Sequence, residues 1–349
     1  MSTKQFILII GAGLLWTCQK KEISFKLEPV LKTDSVQFDS DDPAIWYNTT
    51  DPNASLIIGT DKEIGGGLYV FDLQGKEIRE KRIENLSYPN NVDIEYGLWL
   101  NDSTHTDIAV TVEREKSKLR IYSLPSMNPI DHGGFTVFEG EELPKYNKPM
   151  GVAIYKKPET GECFVLLSRK SGPLDSTYLW QYEILVNDSS QLSISLIRKF
   201  GAFSGGDSEI EAIMVDDSLG YAYYSDELYG IRKYYADPEK GNRELAVFGL
   251  HDFKEDREGI ALLPTDKGEG FILVSDQQNN SFNVYPRNPK AHKHSILFDF
   301  KASTQESDGC DALSRNLNSK FPKGIFVAMS EDRTFHLYDI NKILAINEE

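Results

Sequence analysis

Short apolar segments that end on an aromatic residue recur along the chain. Six of them lie at residues 68–71, 119–122, 179–182, 231–234, 282–285 and 335–338. Their final aromatic residues are separated by 51 to 60 positions. Such regular spacing indicates an internal structural repeat.

Each of these segments follows two further short apolar segments, and a polar turn with room for a fourth strand often comes after it. The nearer segments lie at 56–58, 108–110, 164–166, 222–224, 271–274 and 325–327. The earlier ones lie at 44–46, 92–94, 152–154, 212–214, 260–262 and 312–313. Four strands in about 50 residues, repeated radially, are typical of a β-propeller blade. The pattern predicts an all-β fold, a six-bladed β-propeller of four-stranded antiparallel blades, with a β-sandwich of coincidental spacing as the alternative.

The composition fits strands and limits the possible partners. The 349 residues include 17 Tyr and 18 Phe, which favour strands, and the net charge is −16. This charge argues against nucleic acid or an anionic membrane surface as a partner. Solubility alone would explain an acidic chain. Alternatively, some of the acids are ligands of cations.

The N-terminus is typical of an exported protein. Lys4 precedes an apolar run at 6–16, which is short for a membrane span and shaped like a signal peptide. The residues before Cys18 resemble a bacterial lipobox, although ordinary secretion is also possible. We therefore predict a signal peptide at 1–18 with Cys18 as the lipid-bearing residue, a spacer at 19–30 and a propeller domain at 31–349. The protein would be a cell-envelope lipoprotein or secreted, with membrane contact only through the lipid.

Cysteine and histidine residues offer no recognisable catalytic pattern. Cys163 is expected to be a buried thiol in a strand, and Cys310 to lie in a polar loop. The six histidines are expected to be exposed in loops and at strand edges. Because G-x-S-x-G is also absent from the sequence, nothing indicates a nucleophilic triad.

Polar residues mark the two sets of strand ends that a propeller gathers on one face. Since antiparallel neighbours share their ends, the starts of the first strands should lie beside the ends of the second strands. The first set contains Asp41, Asp42, Asn91, Asp93, Met150, Glu209, Glu211, Asp256, Glu258, Asp308 and Asp311. The second set contains the pairs Asp61-Lys62, Glu113-Arg114, Arg169-Lys170, Asp226-Glu227, Asp276-Gln277 and Ser330-Glu331.

This ring has the chemistry of a metal-assisted hydrolase. Oxygen ligands without His or Cys suit a hard cation, Ca²⁺ above all, and the predicted ligands from adjacent blades are Glu211, Glu227, Asp256, Glu258 and Gln277. The bases Lys62, Arg114 and Lys170 would bind phosphate oxygens. A calcium-bound water would then attack phosphorus, with Glu211 deprotonating or orienting it. Alternatively, each acid merely caps a strand or turn.

Four motifs resemble the β-propeller phytases in order and approximate spacing. They are Asp-Asp-Pro-Ala-Ile-Trp at 41–46, Asn-Asn-Val-Asp-Ile at 90–94, Asp-Arg-Glu-Gly at 256–259 and Ser-Asp-Gly-Cys-Asp at 307–311. The resemblance covers about residues 25 to 345. It implies a calcium-dependent phosphoric monoester hydrolase of the 3-phytase type, acting on the calcium complex of phytate, and we expect a monomer.

The resemblance also implies roles for individual residues. Lys62, Arg114 and Lys170 would hold the phosphate that is cleaved. Asp93 and Asp308 would hold calcium ions nearer the axis. The ligands of the catalytic calcium ions would be Asp42, Glu211, Glu227, Asp256, Glu258 and Gln277.

Two other functions fit the same architecture. One is a different metal-dependent propeller hydrolase, such as a lactonase, which needs neither the three bases nor several calcium ions. The other is a non-catalytic propeller that binds a partner at the cell surface.

Overall fold

The computed structural model describes residues 26–265 and 268–346. These residues form six sheets, antiparallel except for one short pairing, that are arranged as the blades of a propeller. The predicted fold class is therefore confirmed. The predicted signal peptide and Cys18 lie outside the described residues.

The first three blades follow one another along the chain after two short N-terminal strands. The N-terminal strands are β1 (Lys26–Leu27) and β2 (Leu31–Lys32). Blade one comprises β3 (Ser40–Trp46), β4 (Leu56–Asp61), β5 (Ile64–Phe71) and β6 (Ile83–Ser87). Blade two comprises β7 (Val92–Asn101), β8 (Thr104–Glu113), β9 (Lys118–Leu124) and the short outer strands β10 (Asn128–Pro129) and β11 (Phe135–Thr136). Blade three comprises β12 (Pro149–Lys156), β13 (Cys163–Arg169), β14 (Leu179–Val186) and β15 (Leu192–Phe200).

The last three blades repeat the arrangement. Blade four comprises β16 (Ile213–Asp216), β17 (Tyr221–Asp226), β18 (Gly230–Tyr235) and β19 (Ala246–Phe248). Blade five comprises β20 (Arg257–Pro264), β21 (Gly270–Asp276), β22 (Ser281–Pro286) and β23 (Phe298–Ala302). Blade six comprises β24 (Cys310–Leu313), β25 (Ile325–Ser330) and β26 (Thr334–Asp339), followed by helix α1 (Ile340–Ile346). Single 3₁₀ turns lie at Pro52–Ala54, Arg79–Lys81, Arg114–Lys116, Pro144–Asn147, Pro238–Lys240, Gln277–Asn279 and Lys290–His292.

The N-terminal strands join the two ends of the propeller. Strand β2 pairs with β26 and supplies the fourth strand of blade six, so the first and last parts of the chain share one sheet. Strand β1 pairs in parallel with β23 of blade five, so the sheets include residues of the predicted spacer. The pairing closes the ring.

The hydrophobic core is divided among the interfaces between neighbouring blades. Each of six apolar clusters draws side chains from two adjacent blades; one cluster contains Ile58 of blade one and Ala109 of blade two. Inner strands such as β4, β13 and β25 are therefore covered on both faces. This explains why the predicted strands appear in the sequence as short continuous apolar runs rather than as strict alternation.

Several side chains are more buried than predicted. Cys310 is not in a polar loop but is a buried residue at the start of β24, and both Cys163 and Cys310 are free thiols. The prediction that the histidines are exposed is wrong for His294 and His336, which are buried. The His294 ring stacks on Phe248, and the His336 ring packs against Tyr338. Among the described residues, no helix has the length and apolar character needed to cross a membrane.

Candidate active site

The candidate site lies where the innermost strands begin and the second strands end. The register pairs Ser40 with Asp61 in blade one and Arg257 with Asp276 in blade five. The two predicted sets of polar residues therefore share one face of the propeller, as the pairing rule required.

In each blade, the last residue of the second strand and the residue directly after it have different roles. The earlier residue holds the loop that enters the same blade: Asp61 accepts hydrogen bonds from the main-chain N–H groups of Phe38 and Asp39, and Asp226 accepts one from that of Ser204. Corresponding contacts are made by Glu113 to Ser87, Asp276 to Lys254, and Arg169 to the carbonyl of Tyr146. The later residues are therefore the ones available for chemistry: Lys62, Arg114, Lys170, Glu227, Gln277 and Glu331.

Serine hydroxyls fix the ligand-bearing loops from the neighbouring blade. Ser168 donates to the carbonyl of Ile210, Ser225 to that of Glu258 (2.9 Å) and Ser275 to that of Ser307 (2.7 Å). These carbonyls lie at or directly before Glu211, Glu258 and Asp308. The positions of three predicted ligands are therefore set by buried main-chain contacts rather than by mobile loops.

A glycine permits the closest approach of two loops. A Cβ atom on Gly151 would lie 2.0 Å from the carbonyl oxygen of Glu211, which is far inside contact distance. Gly151 also donates its N–H to the Ser168 hydroxyl at 2.8 Å. Any side chain at Gly151 would displace the main chain that carries Glu211.

Lys62 is the centre of an ionic cluster. Its Nζ contacts Asp41, and it lies 3.2 Å from Asp308 Oδ2 and 3.6 Å from Glu211 Oε1. Burial alone would lower the pKa of Lys62, but the three carboxylates raise that pKa well above its ordinary value. Lys62 therefore remains charged and draws together acids from blades one, four and six.

Glu211 is held in its ionised form. Its Oε1 accepts a hydrogen bond from Asn90 Nδ2 at 2.7 Å. Burial would raise the pKa of Glu211, but Lys62 and the Asn90 amide outweigh burial and lower that pKa. A negative charge is thus maintained at this buried position.

A second group of acids lies beside Glu211. Ligand atoms of Glu209, Glu211 and Glu227 all lie within 4.8 Å of one another, which is the spacing of a possible cation site. Burial, followed by the charges of Glu211 and Glu209, raises the pKa of Glu227 to about 9. A further positive charge beside Glu227 would therefore favour its ionised form.

Glu258 and Asp308 extend this cluster. Burial, followed by the charge of Glu227, raises the pKa of Glu258 well above its ordinary range. Burial also raises the pKa of Asp308, despite the opposing effect of Lys62. Gln277 Nε2 contacts Asp308 Oδ1, which brings a side-chain amide from blade five into the same region.

These residues fit a divalent cation. Among the described residues, buried oxygen atoms Glu227 Oε1 and Glu258 Oε2 have no hydrogen-bond donor. Buried polar atoms are normally paired, so such oxygens are suited to ligate an ion. Carboxylate and amide oxygens are also the ligands that Ca²⁺ prefers.

Asp256 lies at the edge of the cluster. Its Oδ2 accepts a hydrogen bond from Gln278 Nε2 at 2.6 Å, and its main-chain N–H donates to Gln278 Oε1 at 2.9 Å. Its assignment as a ligand remains a prediction.

The other two predicted bases are on the same face. Lys170 contacts Glu209 and so lies beside the carboxylate group. Arg114 lies over the ring of Tyr88, with its guanidinium carbon 3.8 Å from the ring centroid, and its Nε is 3.7 Å from Glu115 Oε1. Tyr88 and Asn90 belong to one loop, which connects the Arg114 region to Glu211.

Asp42 and Asp93 are directed into the central channel. This channel contains a cavity of about 500 Å³ whose lining includes Asp42, Asp93 and Asp311. The carboxylate of Asp93 accepts main-chain hydrogen bonds from Ile94 and Ile154, both at 2.7 Å, so it joins blades two and three. Asp42 Oδ2 likewise accepts from Val92 N at 3.1 Å. Their predicted calcium-binding roles remain predictions, and the structure gives them interblade contacts as well.

Three members of the cluster were not among the predicted site residues. They are Asp41, Asn90 and Glu209; Asp41 and Glu209 lie within two residues of predicted ligands, and Asn90 lies three residues before Asp93. A register shift in β3 between Ser40 and Pro43 gives Asp41 and Asp42 different surroundings. The sequence indicates the acidic pair at 41–42 but not which member faces Lys62.

Comparisons with known proteins identify the family and agree with the fold. A family model described as Phytase matches residues 4–347. The curated 3-phytase of Bacillus subtilis (strain 168) is 29% identical over 350 residues, covering 93% of this chain and 86% of that protein.

Solved structures with low sequence identity share the fold. A protein from Lactobacillus plantarum is 14% identical, with a TM-score of 0.54, covering 88% of this chain and 82% of that one. The WD40 β-propeller domain of Doa1 is 9% identical, with a TM-score of 0.52, covering 90% and 97%. At these identities the likeness concerns the fold alone. The family match extends over nearly the whole chain, and the chain therefore belongs to the phytase family.

Proposed function

We propose that this protein is a calcium-dependent phytase that releases phosphate from phytate, presented as its calcium complex. The family match and the curated relative support phytate hydrolysis and a phosphoric monoester hydrolase of the 3-phytase type. The observation that carries the calcium requirement is the group of the half-buried Glu209 with the buried Glu211 and Glu227, which has oxygen ligands at cation-binding spacing.

The acids and bases would divide the work of binding the substrate. Glu211, Glu227, Glu258, Asp308 and the Gln277 side chain would hold calcium, with Asp256, Glu209 and Asp41 at the edges of the group. When bound, calcium supplies positive charge beside the phosphate oxygens and polarises water. The cation would also balance the carboxylates of Glu227 and Glu258, whose pKa values are raised by burial and then by the neighbouring negative charges.

Lys62, Arg114 and Lys170 would hold the phosphate that is cleaved. Arg114 is oriented by the Tyr88 ring on one side and by Glu115 at Nε, so its Nη groups remain available for paired hydrogen bonds to phosphate. Lys62 and Lys170 add compact positive charges near the acids. As negative charge grows on the phosphate oxygens, these fixed donors stabilise it without reorganisation.

Glu211 is the best-placed residue to orient the attacking water. Its lowered pKa keeps it ionised, and Asn90 fixes one oxygen at 2.7 Å. An ionised, immobile carboxylate can accept a proton or a hydrogen bond from water as phosphorus is attacked.

We also propose export of the protein. Support comes from the signal-like residues 1–18 and from Cys18, which would carry a lipid in a cell-envelope lipoprotein. Fractionation of cells expressing the natural chain and Cys18→Ala, with mass spectrometry of the mature N-terminus, tests both parts. An unprocessed N-terminus in the cytoplasm would contradict export.

The experiment that tests the enzymatic proposal is phosphate release from calcium phytate with and without EDTA. We expect turnover with calcium and its loss with the chelator, restored by added calcium. A lactone substrate serves as the comparison, because a lactonase-type enzyme would hydrolyse the lactone and leave phytate intact. Calcium-dependent stability without any turnover would instead identify a non-catalytic binding protein.

A further inference from the structure

One buried arginine connects the parts of the chain that carry the predicted calcium ligands. Arg257 lies in β20 between Asp256 and Glu258, and the residue is 5% exposed. Its guanidinium donates four hydrogen bonds, all to main-chain carbonyl oxygens. The acceptors are Glu227 (3.0 Å), Gly249 (3.2 Å), Leu250 (2.9 Å) and Glu255 (2.9 Å).

Arg257 makes two hydrogen bonds to the carbonyl of Glu227. The Glu227 carbonyl accepts from Arg257 Nη1 and also from the Arg257 main-chain N–H at 3.2 Å. The Glu227 N–H in turn donates to the carbonyl of Glu209 at 3.1 Å. A continuous set of main-chain contacts thus runs from Arg257 to two members of the Glu209, Glu211 and Glu227 group.

We propose that Arg257 is a positioning residue that holds the Glu227 main chain at a fixed distance from Asp256 and Glu258, so that carboxylates of blades four and five form one calcium site. The inference rests on the proposed calcium requirement and extends it to a residue that does not touch the ion. Groups that orient ligands contribute strongly to metal affinity.

Lysine cannot replace arginine in this role. The guanidinium is planar and has five N–H donors in a fixed fork, whereas lysine has one ammonium group on a flexible stem. Arg257→Lys therefore keeps the positive charge but loses the simultaneous contacts to Glu227 and to the loop at 249–250. This substitution therefore tests the geometry of the guanidinium hydrogen bonds separately from the positive charge.

Arg198 offers a matched control. It is 9% exposed, and it donates to the carbonyls of Tyr235 (2.6 Å) and Gly241 (2.7 Å) and to the side chain of Gln181. These carbonyls lie at the end of β18, the third strand of blade four, and just after it, whereas Glu227 follows the second strand. Arg198→Lys therefore disturbs a similar buried set of hydrogen bonds at the end of β18 that lies away from Glu227.

The test is a calcium titration of the two variants and the unchanged protein. Thermal unfolding measures Tm at each calcium concentration, and calorimetry measures calcium binding. Both variants should have a lower Tm than the unchanged protein in EDTA. Arg257→Lys should need about 10-fold to 100-fold more calcium for half of its Tm increase and for half-saturation. Arg198→Lys should respond at the same calcium concentration as the unchanged protein.

Equal calcium responses in all three proteins would overturn the role of Arg257 while leaving the calcium requirement intact. An unchanged protein that shows no calcium response would overturn the proposed calcium requirement, and this inference with it. If Arg257→Lys does not fold, Phe253→Leu is the second variant, since the Phe253 ring centroid lies 5.1 Å from the guanidinium carbon. It should weaken calcium binding in the same direction by a smaller factor, and unchanged binding would contradict the inference.

Discussion

In blades one to three the residue after the second strand is Lys62, Arg114 or Lys170, whereas in blades four to six it is Glu227, Gln277 or Glu331. The preceding residue holds the entry loop in both halves, as Asp61 does in blade one and Asp226 in blade four. The fold thus uses one residue for structure and leaves the next free to differ. This position carries a base in blades one to three, which we call the basic half, and an acid or an amide in blades four to six, which we call the acidic half.

Side chains of the basic half form ion pairs with carboxylates of the acidic half. Lys62 of the basic half contacts Glu211 and Asp308 of the acidic half, and Lys170 contacts Glu209. At Glu227, burial and the charges of neighbouring acids raise the pKa of the carboxyl despite the opposing effect of Lys170. The raised pKa of Glu227 is the reason that we propose calcium for the acidic half and phosphate for the basic half.

The largest decrease in activity is expected when the ionised carboxylate of Glu211 is removed from the acidic half. Glu211→Gln should reduce phosphate release from phytate by about 10²-fold to 10⁴-fold, because the amide cannot accept a proton. The variant should keep its circular dichroism spectrum. The control is Glu80→Gln at an exposed position, which should leave turnover unchanged. Near-normal turnover of Glu211→Gln would remove Glu211 from the mechanism.

The matching change in the basic half should have a somewhat smaller effect. Arg114→Ala removes paired donors to the phosphate and should lower turnover by about 10²-fold to 10³-fold. Calcium binding measured by calorimetry should stay unchanged, since Arg114 contacts Tyr88 and Glu115 rather than the proposed calcium ligands. Arg79→Ala, with a side chain that is 86% exposed, is the control. Loss of calcium binding in Arg114→Ala would contradict the division between halves.

The stability of the calcium-free protein should depend on pH through the acidic half. The pKa of Glu227 rises from an ordinary 4.5 to about 9 on folding, so its protonated form stabilises the fold. That contribution is present below pH 4.5 and is lost as the pH rises towards about 9. Tm in EDTA should therefore fall over this range, and less steeply in Glu227→Gln.

Calcium should oppose this fall, because it binds the ionised carboxylates and displaces their protons. Thermal unfolding at several pH values, with and without calcium, measures both effects. An identical pH dependence of Tm in Glu227→Gln and the unchanged protein would show that Glu227 does not carry the buried proton.

The smallest effect on activity is expected in the channel. Asp93→Asn keeps one acceptor for Ile94 or Ile154 and loses the other, so it should lower the unfolding free energy by about 1–3 kcal/mol. Phosphate release at saturating calcium should be retained if the interblade contacts are its main role. A loss of calcium binding would instead support the predicted role of Asp93 as a ligand. Asp102→Asn, on an exposed turn, is the comparison.

Much of the fold could be predicted because each blade repeats the same short apolar strands. The true strands extend further, as in β7 (Val92–Asn101) and β8 (Thr104–Glu113), since hairpin arms continue beyond the buried stretch into polar residues. The closing strand β2 was not predicted. Its partner β26 is about 300 residues away, and its two residues carry no apolar pattern of their own.

The site was predictable at the level of strand ends but not of single side chains. Pairing rules bring Lys62, Glu211 and Asp308 together without any knowledge of contacts. Whether Asp41 or Asp42 meets Lys62 depends on a register shift in β3, which a single sequence does not reveal. The hydrogen bond from Asn90 to Glu211 joins blades two and four across the axis, and no local pattern encodes it.

A crystal structure of the protein soaked with calcium and phosphate would test the division into halves most directly. We expect calcium with oxygen atoms of Glu211 and Glu227 at about 2.3–2.6 Å, and phosphate oxygens bound by Lys62, Arg114 and Lys170. Calcium confined to other surfaces, or phosphate bound away from these three bases, would contradict the account.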